Sequence, residues 1–587
     1  MEFQPAQDPE LLRKYPALEG QDLSSAVVML DNRGSIYRGA AAVFHLLSLC
    51  PQSAWLLDGY EHSPRFAQMA EWSYSFIARH RPFFGWLTRL GWGSHAEPSS
   101  YAVISRAFLI GLAVIYLMAF GSLWSQLPGI VGSNGIVPAK VTVELLRQEA
   151  DFRRVGLNRY HLVPTFCWVS SKDSFLRAQC LAGICLALLV ILNIAPAPAL
   201  FLLWAIYLSL ATVCREFLNY QWDNLLLEAG FLAIFLAPLQ LLPGTQSVHE
   251  PRRIIVWLLR WVLFRVMFQS GLMQLLGGDL SWRNLTAFYH HLQTQPLPTW
   301  VAWYLHGMPY WIINVITGGI LCAELGLAWC VLLPRRPRRV ALAGFVAMDV
   351  LFTLVGNYGF FFALRLCLCL LLLDDAALRR WFPAWPSSSS DPHEPSTTRR
   401  WSGTFLVPLT CLAIIIPFVQ FSLILWPRFP WPRPVVAVSE WVAPFRTFNL
   451  YSMFSTVTRV RSEIILEASD DGLVWGEQDF KYKPGDVRRR PCFVVPHQPR
   501  LDWQLWFAAL NGRERTPWFG NFCFRVVQGK PDIRKLLAKR EKPPKYVRAV
   551  LYEYRFSTWS ERRKTGAWWV RTFRRQYNPV VSVTQPG

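Results

Sequence analysis

The residues of this chain that could do chemistry include acids and arginines inside long apolar segments. Asp223 and Glu228 lie at the start of one such segment, and Arg260 and Arg265 lie within a later one. Charged groups at membrane depth are costly, so they face a partner or a functional path. We favour a structural pair, Glu228 with Arg260 or Asp223 with Arg265, over a proton or substrate role.

Two adjacent histidines, His290 and His291, lie in a polar segment between apolar runs. Adjacent residues point to different faces of a helix, so they make a poor metal pair on their own. No Cys or acidic residue stands at a useful spacing, and the sequence predicts no metal site. Asn284 and Thr286 form a glycosylation sequon, which matters only in a eukaryotic secretory pathway.

The string 496–507 (PHQPRLDWQLWF) contains His497, Arg500 and Asp502, which could form an acid–base set. Arg500 and Asp502 are two positions apart, which favours a local ion pair or backbone contacts. Trp503 and Trp506 in the same string indicate an apolar anchor. We therefore interpret the string as a folding and interaction core rather than a catalytic centre.

Motifs that define common enzyme classes are missing from the sequence. It contains no Gly-rich phosphate loop, no nucleophile elbow and no Cys-x-x-Cys. Most of the 12 cysteines lie in apolar runs, where Cys acts as a small hydrophobe. A Cys492–Cys523 disulfide is conceivable if that region faces an oxidising space. The sequence thus predicts no catalytic residue and no cofactor.

The composition predicts a polytopic membrane protein. Aromatic residues make up 15% of the 587 residues, charged residues only 17%, and the mean hydropathy is +0.21. Tryptophan and tyrosine collect at membrane interfaces. About nine apolar runs are long enough to cross about 30 Å of hydrocarbon. The predicted spans are 103–124, 178–196, 198–215, 224–242, 254–276, 310–333, 339–356, 358–373 and 404–426.

Positive charges in short loops predict the orientation, because cytoplasmic loops are enriched in Lys and Arg. Arginines cluster at 335–339, at 252–253 and at 379–380. Placing all three clusters in the cytoplasm is consistent with nine spans and a cytoplasmic N-terminus. It puts the loops 125–177 and 277–309 and the tail on the non-cytoplasmic side.

The sequence predicts an α-helical polytopic membrane protein with three regions. Residues 1–98 read as a small α/β domain, with a strand at 25–31 and helices at 39–49 and 65–79. Residues 99–426 hold the spans, and 386–398 is a Ser/Pro-rich linker. Residues 427–587 read as a basic β-rich soluble domain, with strands predicted at 464–467, 475–482, 522–527 and 546–556.

The formal net charge of +21 limits the class of partner. A strongly basic balance fits nucleic acid, anionic lipid or an acidic protein. Beside a membrane, lipid headgroups and protein partners are favoured, and we predict no nucleic-acid partner.

Four strings together resemble the lipase maturation factor family of polytopic membrane proteins. They are 121–130 with 134–139, 220–231, 280–286 continuing to 295–298, and 496–507. The resemblance covers about 100–560 and implies a non-catalytic, chaperone-like role toward a secreted client such as a lipase. Animal members reside in the endoplasmic reticulum membrane.

The resemblance also implies which residues form the client-binding or structural motif. In this sequence they are His497, Gln498, Arg500, Asp502, Trp503, Trp506, Gln221, Trp222, Asp223, Glu228, Trp282, Asn284, Thr286, His290 and Gln295.

The first 100 residues are similar to a second family, the DCC-type thioredoxin-like thiol–disulfide oxidoreductases. The similarity is carried by 3–7, 27–30, 37–42 and 74–81. The strand and helix that bear the Cys-x-x-Cys of that family should precede Met1, and Cys50 alone cannot complete a dithiol cycle. We expect this truncated domain to be redox-inactive. Such fusions are typical of bacteria and favour a bacterial cytoplasmic membrane over the endoplasmic reticulum.

Two alternatives stay open at this stage. A membrane-embedded enzyme or transporter could use Glu228, Arg260, Arg265 and the pair 290–291. A weaker alternative is a thiol–disulfide oxidoreductase whose true start lies upstream.

Overall fold

The computed structural model describes residues 11–19, 23, 26–50, 53–93, 99–242, 250–381, 401–538, 540 and 542–582. The chain divides into two compact units, Met1–Glu97 and Pro98–Gly587. The predicted linker 386–398 and the string 3–7 lie outside the described residues.

The first unit is a small α/β unit. Its strands β1 (Val28–Leu30) and β2 (Ile36–Arg38) pair antiparallel, with Met29 opposite Tyr37. The helices that follow are α1 (Ala40–Ser48), α2 (Ala54–His62), α3 (Pro64–Arg79) and α4 (Arg81–Trp92), after the short turns Leu11–Lys14 and Pro16–Leu18. Both helices predicted from apolar spacing are confirmed, and the strand predicted at 25–31 is confirmed over 28–30.

The second unit contains the apolar helices and the C-terminal domain, residues 427–582. Its main helices are α5 (Ala102–Val131), α6 (Ala139–Phe152), α7 (Asp173–Ile191), α8 (Pro196–Cys214), α9 (Gln221–Leu236), α10 (Arg253–Leu276), α11 (Ala287–Thr294), α12 (Trp300–His306), α13 (Tyr310–Leu321), α14 (Arg335–Val355), α15 (Phe361–Leu370), α16 (Asp375–Trp381), α17 (Gly403–Leu425), α18 (Arg433–Val442), α19 (Arg500–Asn511), α20 (Trp518–Val527) and α21 (Trp559–Thr565). Short helical turns are Arg159–Leu162, Leu280–Arg283, Ala328–Cys330 and Pro531–Arg534, the 3-10 turns Gly156–Asn158, Phe166–Trp168, Arg215–Leu218, Ala443–Phe445 and Arg513–Arg515, and the π turn Cys322–Leu327.

Among the described residues, six helices are long and apolar enough to cross a membrane. They are Ala102–Val131, Asp173–Ile191, Pro196–Leu218, Arg253–Leu276, Tyr310–Cys330 and Gly403–Leu425. The other three predicted spans are also helical, as α9, α14 and α15. However, α9 has 16 residues, α15 has 10, and α14 carries Arg335, Arg336, Arg338, Arg339 and Asp349. The membrane protein class is confirmed, and the count of nine spans is not.

Polar contacts join several helix termini at one end of the helical bundle. Arg335 at the start of α14 pairs with Asp374 after α15, at 2.6 Å. Asp375 accepts from Ser100 Oγ at 2.7 Å, just before α5. Arg253 at the start of α10 donates to Ser99 O at 3.2 Å. The same end of the bundle therefore contains the starts of α5, α10 and α14 and the end of α15.

The C-terminal domain contains a four-stranded antiparallel sheet in the order β4-β3-β5-β6. The strands are β3 (Arg461–Ser469), β4 (Gly476–Gln478), β5 (Tyr546–Phe556) and β6 (Trp569–Ser582). Leu466 pairs with Gln478, so the strand predicted at 464–467 is confirmed, and the one predicted at 475–482 is confirmed over 476–478. The two strands form a hairpin, and Gly472 supplies its left-handed turn with φ of +79°. The predicted strand at 546–556 is also confirmed.

The strand predicted at 522–527 is wrong, because those residues lie in α20. Phe519, Phe522, Cys523 and Val526 are all buried on one side of this helix. Their spacing of three and four residues is helical. The short run FCFRVV is equally compatible with a strand when it is considered without the preceding turn.

Candidate functional site: the junction of the helices and the C-terminal domain

A solvent-free ion pair joins α9 to α19. Arg500 donates from Nη1 to Asp223 Oδ2 at 3.2 Å and from Nη2 to Asp223 Oδ1 at 3.1 Å. Tyr207 on α8 donates to Asp223 Oδ1 at 2.5 Å, and Arg500 also donates to Phe217 O at 2.6 Å. Both charged side chains are fully buried. A two-point guanidinium–carboxylate contact fixes orientation as well as distance.

The charge of Arg500 is preserved by this contact. Burial acts to lower the pKa of Arg500, but the Asp223 carboxylate, Tyr207 and Tyr220 together outweigh burial and hold that pKa above its usual range. The guanidinium therefore stays ionised opposite a carboxylate, and the pair is neutral overall.

The turn before α19 is fastened to α5. Ser122 Oγ lies 3.0 Å from His497 Nδ1 and accepts from Gln498 N at 2.9 Å. Gln126 donates to Gln498 O at 2.8 Å and accepts from Arg500 N at 2.8 Å. Positions 122 and 126 are one helical turn apart and therefore share a face. Burial, aided by Arg500, lowers the pKa of His497, so this imidazole is neutral at pH 7.

Asp502 accepts hydrogen bonds from backbone N–H groups and does not pair with a cation of the string 496–507. Its Oδ1 accepts from Tyr482 N at 3.0 Å and from Lys483 N at 2.9 Å. Burial raises the pKa of Asp502, and these two hydrogen bonds oppose that shift. Of the two contacts predicted for Arg500 and Asp502, the structure contains the backbone contact. The acid–base set of His497, Arg500 and Asp502 does not assemble, because each side chain faces a different partner.

The two tryptophans of the string both contact the helical region. Trp503 donates from Nε1 to Asn357 O at 3.2 Å, and Trp506 donates to Thr294 O at 2.7 Å. Trp503 also packs edge-on against Trp222, with ring centroids 4.9 Å apart. The indoles combine apolar burial with a satisfied N–H group.

A second buried ion pair, Glu228 with Arg265, joins α9 to α10. Glu228 Oε2 also accepts from Tyr451 Oη at 2.7 Å and from Asn449 N at 3.0 Å, and Arg265 donates to Asn449 O at 2.9 Å. The segment that contains 449–451 belongs to the C-terminal domain. The pair therefore binds two helices and one segment of that domain at once.

Both ion pairs proposed from the sequence for these residues are wrong in their partners. Glu228 pairs with Arg265 rather than Arg260, and Asp223 pairs with Arg500 rather than Arg265. Arg260 instead donates to Leu371 O at 2.7 Å and stacks over the Tyr101 ring. The general interpretation of these charges as structural pairs agrees with the structure.

The loop 277–309 forms a further part of the contact. Trp282 donates to Phe454 O at 3.0 Å. The buried Arg461 donates to the carbonyl oxygens of Gln293 at 2.9 Å, Pro296 at 2.8 Å, and Gln295. A single arginine of β3 thus binds three carbonyl groups at and just after the end of α11.

The remaining motif residues of this region differ in their exposure. Gln221 accepts from Ser452 N at 3.3 Å, which adds a contact to the C-terminal domain. Thr286 donates to Ser281 O at 3.4 Å within the loop, and Asn284 is exposed to solvent. Asn284 is the one motif residue of this loop whose side chain is open to modification.

The two adjacent histidines have different surroundings. His291 is buried, and its Nε2 lies 2.8 Å from Tyr358 Oη, which donates to Gln295 Oε1 at 2.7 Å. Burial lowers the pKa of His291 to about 3, so it stays neutral. His290 is half-buried, and burial and then Arg459 lower its pKa. Among the described residues, no group of three or more His, Cys, Asp or Glu residues has a geometry that could hold a metal.

Several residues of the contact were not predicted from the sequence. Ser122 and Gln126 lie in a family-like string, so their position was a usable signal. Asn357 accepts from Val494 N at 2.7 Å and donates to Cys492 O at 2.8 Å, and Arg461 is described above. Nothing in the sequence around Asn357 or Arg461 distinguished them from ordinary polar residues.

Another buried cluster in the helices was also missed. Arg365 on α15 pairs with Asp349 on α14 at 2.7 Å. Glu324 lies buried on the π turn Cys322–Leu327, and a Cβ on Gly271 of α10 would lie 2.8 Å from the Cβ of Glu324. Glycine at 271 therefore permits the close approach of α10 to this turn.

The cysteines of the C-terminal domain are free thiols. Cys492 is exposed and Cys523 is buried in α20. The disulfide considered between them is therefore not formed in this structure.

We call the set Ser122, Gln126, Asp223, Glu228, Arg265, Asn357, Asn449, Tyr451, Arg461, Gln498, Arg500, Trp503 and Trp506 the junction. Within the junction, acidic side chains pair with arginines. Indole and amide groups hydrogen-bond to backbone groups across the contact between the helices and the C-terminal domain. Such an arrangement holds the C-terminal domain on the helices in a fixed orientation.

Comparison with known proteins identifies related families for both units. The lipase maturation factor transmembrane domain matches residues 103–380, and the lipase maturation factor C-terminal domain matches 447–579. The DCC1-like thiol-disulfide oxidoreductase family matches residues 1–86. No solved structure matches the chain.

Curated relatives from animals align over most of the chain. Lipase maturation factor 2 of Gallus gallus is 32% identical, covering 82% of this chain and 81% of the relative. Lipase maturation factor 2 of Homo sapiens is 31% identical, covering 82% and 83%. Lipase maturation factor 1 of Bos taurus is 31% identical, covering 86% and 91%.

Proposed function

The chain belongs to the lipase maturation factor family, and from that premise we propose that it is a membrane chaperone that assists the folding of secreted proteins such as lipases. The observation that carries the proposal is the junction. Ion pairs and indoles there hold a basic, sheet-containing domain at one end of the helices. This geometry suits a platform that presents the domain to a client emerging at the membrane.

We also propose that the protein is not an enzyme. An enzyme or transporter could use Glu228 and Arg265. In this protein they form an ion pair with each other and hydrogen bonds with the segment 449–451. The histidines 290 and 291 have lowered pKa values and face neighbouring side chains. In the first unit, residues 1–100 contain one cysteine, Cys50, and a single cysteine does not supply a dithiol pair.

The chaperone proposal is tested by the specific activity of secreted lipases in a host that lacks this chain. We expect lipase protein to be made, while its activity per molecule falls several-fold and returns with the wild-type gene. Unchanged specific activity in the deleted host would refute the proposal. Truncation at residue 426 is a poor test, because it would leave Asp223 and Glu228 without Arg500, Asn449 and Tyr451.

We propose that the C-terminal domain lies on the non-cytoplasmic side and that all nine predicted spans cross the membrane. The arginines at 335–339 lie at the end of the bundle where α5, α10 and α14 begin. The C-terminal domain binds Ser122, Gln126 and Asn357, near the opposite ends of α5 and α14. Cytoplasmic arginines therefore imply a non-cytoplasmic tail.

Labelling of Cys492 tests this orientation. We expect a membrane-impermeant maleimide to modify exposed Cys492 from the non-cytoplasmic side of sealed membranes, and Cys492→Ser to lose that label. A cysteine placed at exposed Arg336 is the matched control and should react only after the membrane is opened. Labelling with the opposite sidedness would contradict the orientation.

The compartment depends on the source of the chain. We propose a bacterial cytoplasmic membrane for a prokaryotic source and the endoplasmic reticulum membrane for a eukaryotic one. The fused oxidoreductase-like unit supports the former, and the animal origin of the curated relatives supports the latter. In both cases we expect membrane lipids and a secreted client as partners.

A further inference from the structure

A basic groove crosses the C-terminal domain beside the junction. Its wider part is a cavity of about 440 Å³, and among the residues that the structure describes, the charged side chains that line it are five cations. They are Lys481, Arg534, Lys535, Arg540 and Lys542. Grooves of about 300–1,000 Å³ are the usual size of ligand sites.

A second cavity of about 310 Å³ continues the first toward the string 496–507. Lys481 and Lys535 line both cavities, so the two cavities are adjacent, and we call them together the groove. Its inner part is lined by His497, Asp502 and Gln126. The groove thus runs from the basic mouth to the residues that attach the domain to α5.

The walls of the groove are joined by hydrogen bonds. Lys481 Nζ donates to Lys535 O, and Ala538 N donates to Asp479 O at 3.0 Å, so the two walls are bonded together. Gly529 has φ of +67°, and a Cβ there would lie 2.8 Å from Pro543. A preformed site loses less conformational entropy when a ligand binds.

The positive charge is only partly balanced by nearby acids. Asp470 lies 3.4 Å from Arg540, and Asp532 lies 3.3 Å from Lys535. Exposed pairs of this kind contribute little, because water screens them. Lys481 and Lys542 add further charge to the groove. Its field therefore attracts an anion.

The ligand should also have apolar parts. Val526, Leu537, Pro543 and Pro544 line the wide cavity between the cations. An inorganic anion would leave these side chains without a partner, whereas a peptide with acidic and apolar side chains would contact both kinds of wall.

We propose that this groove binds an acidic, partly apolar peptide segment of the client. The inference rests on the proposed chaperone function and specifies where on the domain a client is held. Each exposed ion pair contributes little and weakens with salt. Binding is therefore reversible, as release of a folded client requires.

The test uses the purified full-length protein and two short fluorescent peptides, one of alternating Glu and Leu and one with Gln in place of Glu. We expect the acidic peptide to bind and the Gln peptide to bind far more weakly. The triple variant Lys535→Glu, Arg540→Glu, Lys542→Glu should weaken acidic-peptide binding by about tenfold or more. The matched control is Arg563→Glu, Lys564→Glu, Arg575→Glu, three exposed residues outside the groove.

Three results would overturn the groove proposal. One is equal acidic-peptide affinity in the triple variant and the control variant, and another is equal binding of the two peptides. The third is groove-dependent binding of phosphatidylglycerol vesicles without peptide binding, which would indicate a lipid headgroup site. Lipase activity separates the two proposals. If deleting the chain lowers it but the triple variant changes neither it nor peptide affinity, only the groove proposal fails.

Discussion

Replacing Arg500 with leucine is expected to destabilise the protein by about 3–5 kcal/mol. Asp223 is fully buried, and Arg500 is its ion-pair partner. The variant leaves the carboxylate inside the protein with only Tyr207 Oη and the backbone N–H of Tyr220 as donors. The loss should appear as a lower apparent melting temperature in detergent and as protease sensitivity of the C-terminal domain.

A second substitution separates the lost charge pair from the lost volume. The double variant Arg500→Leu, Asp223→Asn removes the unpaired charge, so we expect it to recover part of the stability. Arg563→Leu, at an exposed position of the same domain, is the control and should change little. An Arg500→Leu variant as stable as this control would show that the pair does not hold the domain.

Replacing Glu228 with glutamine should have an effect of similar size, about 3–5 kcal/mol. The amide keeps the shape of the side chain but leaves the guanidinium of Arg265 buried without an anion. Tyr451 Oη and Asn449 N would then face a neutral acceptor. The measurement is again the apparent melting temperature.

The matched control is Glu440→Gln, at an exposed position on α18, for which we expect no change. Glu228→Gln also distinguishes a structural role from a chemical one. A structural role predicts that stability and lipase maturation fall together. Wild-type stability with abolished function would instead favour a chemical role for Glu228.

The sequence predicted element types better than partners. Apolar runs and their spacing identified the membrane class, the helices α1 and α3 and the hairpin of β3 and β4, because these depend on local periodicity. The strand predicted at 522–527 was wrong because the prediction also depended on local periodicity, and a six-residue apolar run is ambiguous between strand and helix. The number of crossings depends on short helices such as α15, for which length alone is not decisive.

The partners of the charged residues could not be predicted, because they depend on tertiary contacts. Asp223 and Arg500 are separated by 277 positions, and no local pattern relates them. Asn357 and Arg461 lie in unremarkable sequence, yet both bind the opposite part of the protein. The strings of the family resemblance contain many residues of the junction, but only the structure shows that those strings lie close together.

A disulfide between positions 122 and 497 tests most directly whether the family strings hold the C-terminal domain on the helices. Ser122 Oγ and His497 Nδ1 are 3.0 Å apart. A protease site inserted within 386–398 would separate the two parts after cleavage. We predict that, on a denaturing gel, Ser122→Cys, His497→Cys keeps the fragments joined without reductant and that reductant separates them. Fragments that separate without reductant, as in each single-cysteine variant, would contradict the junction.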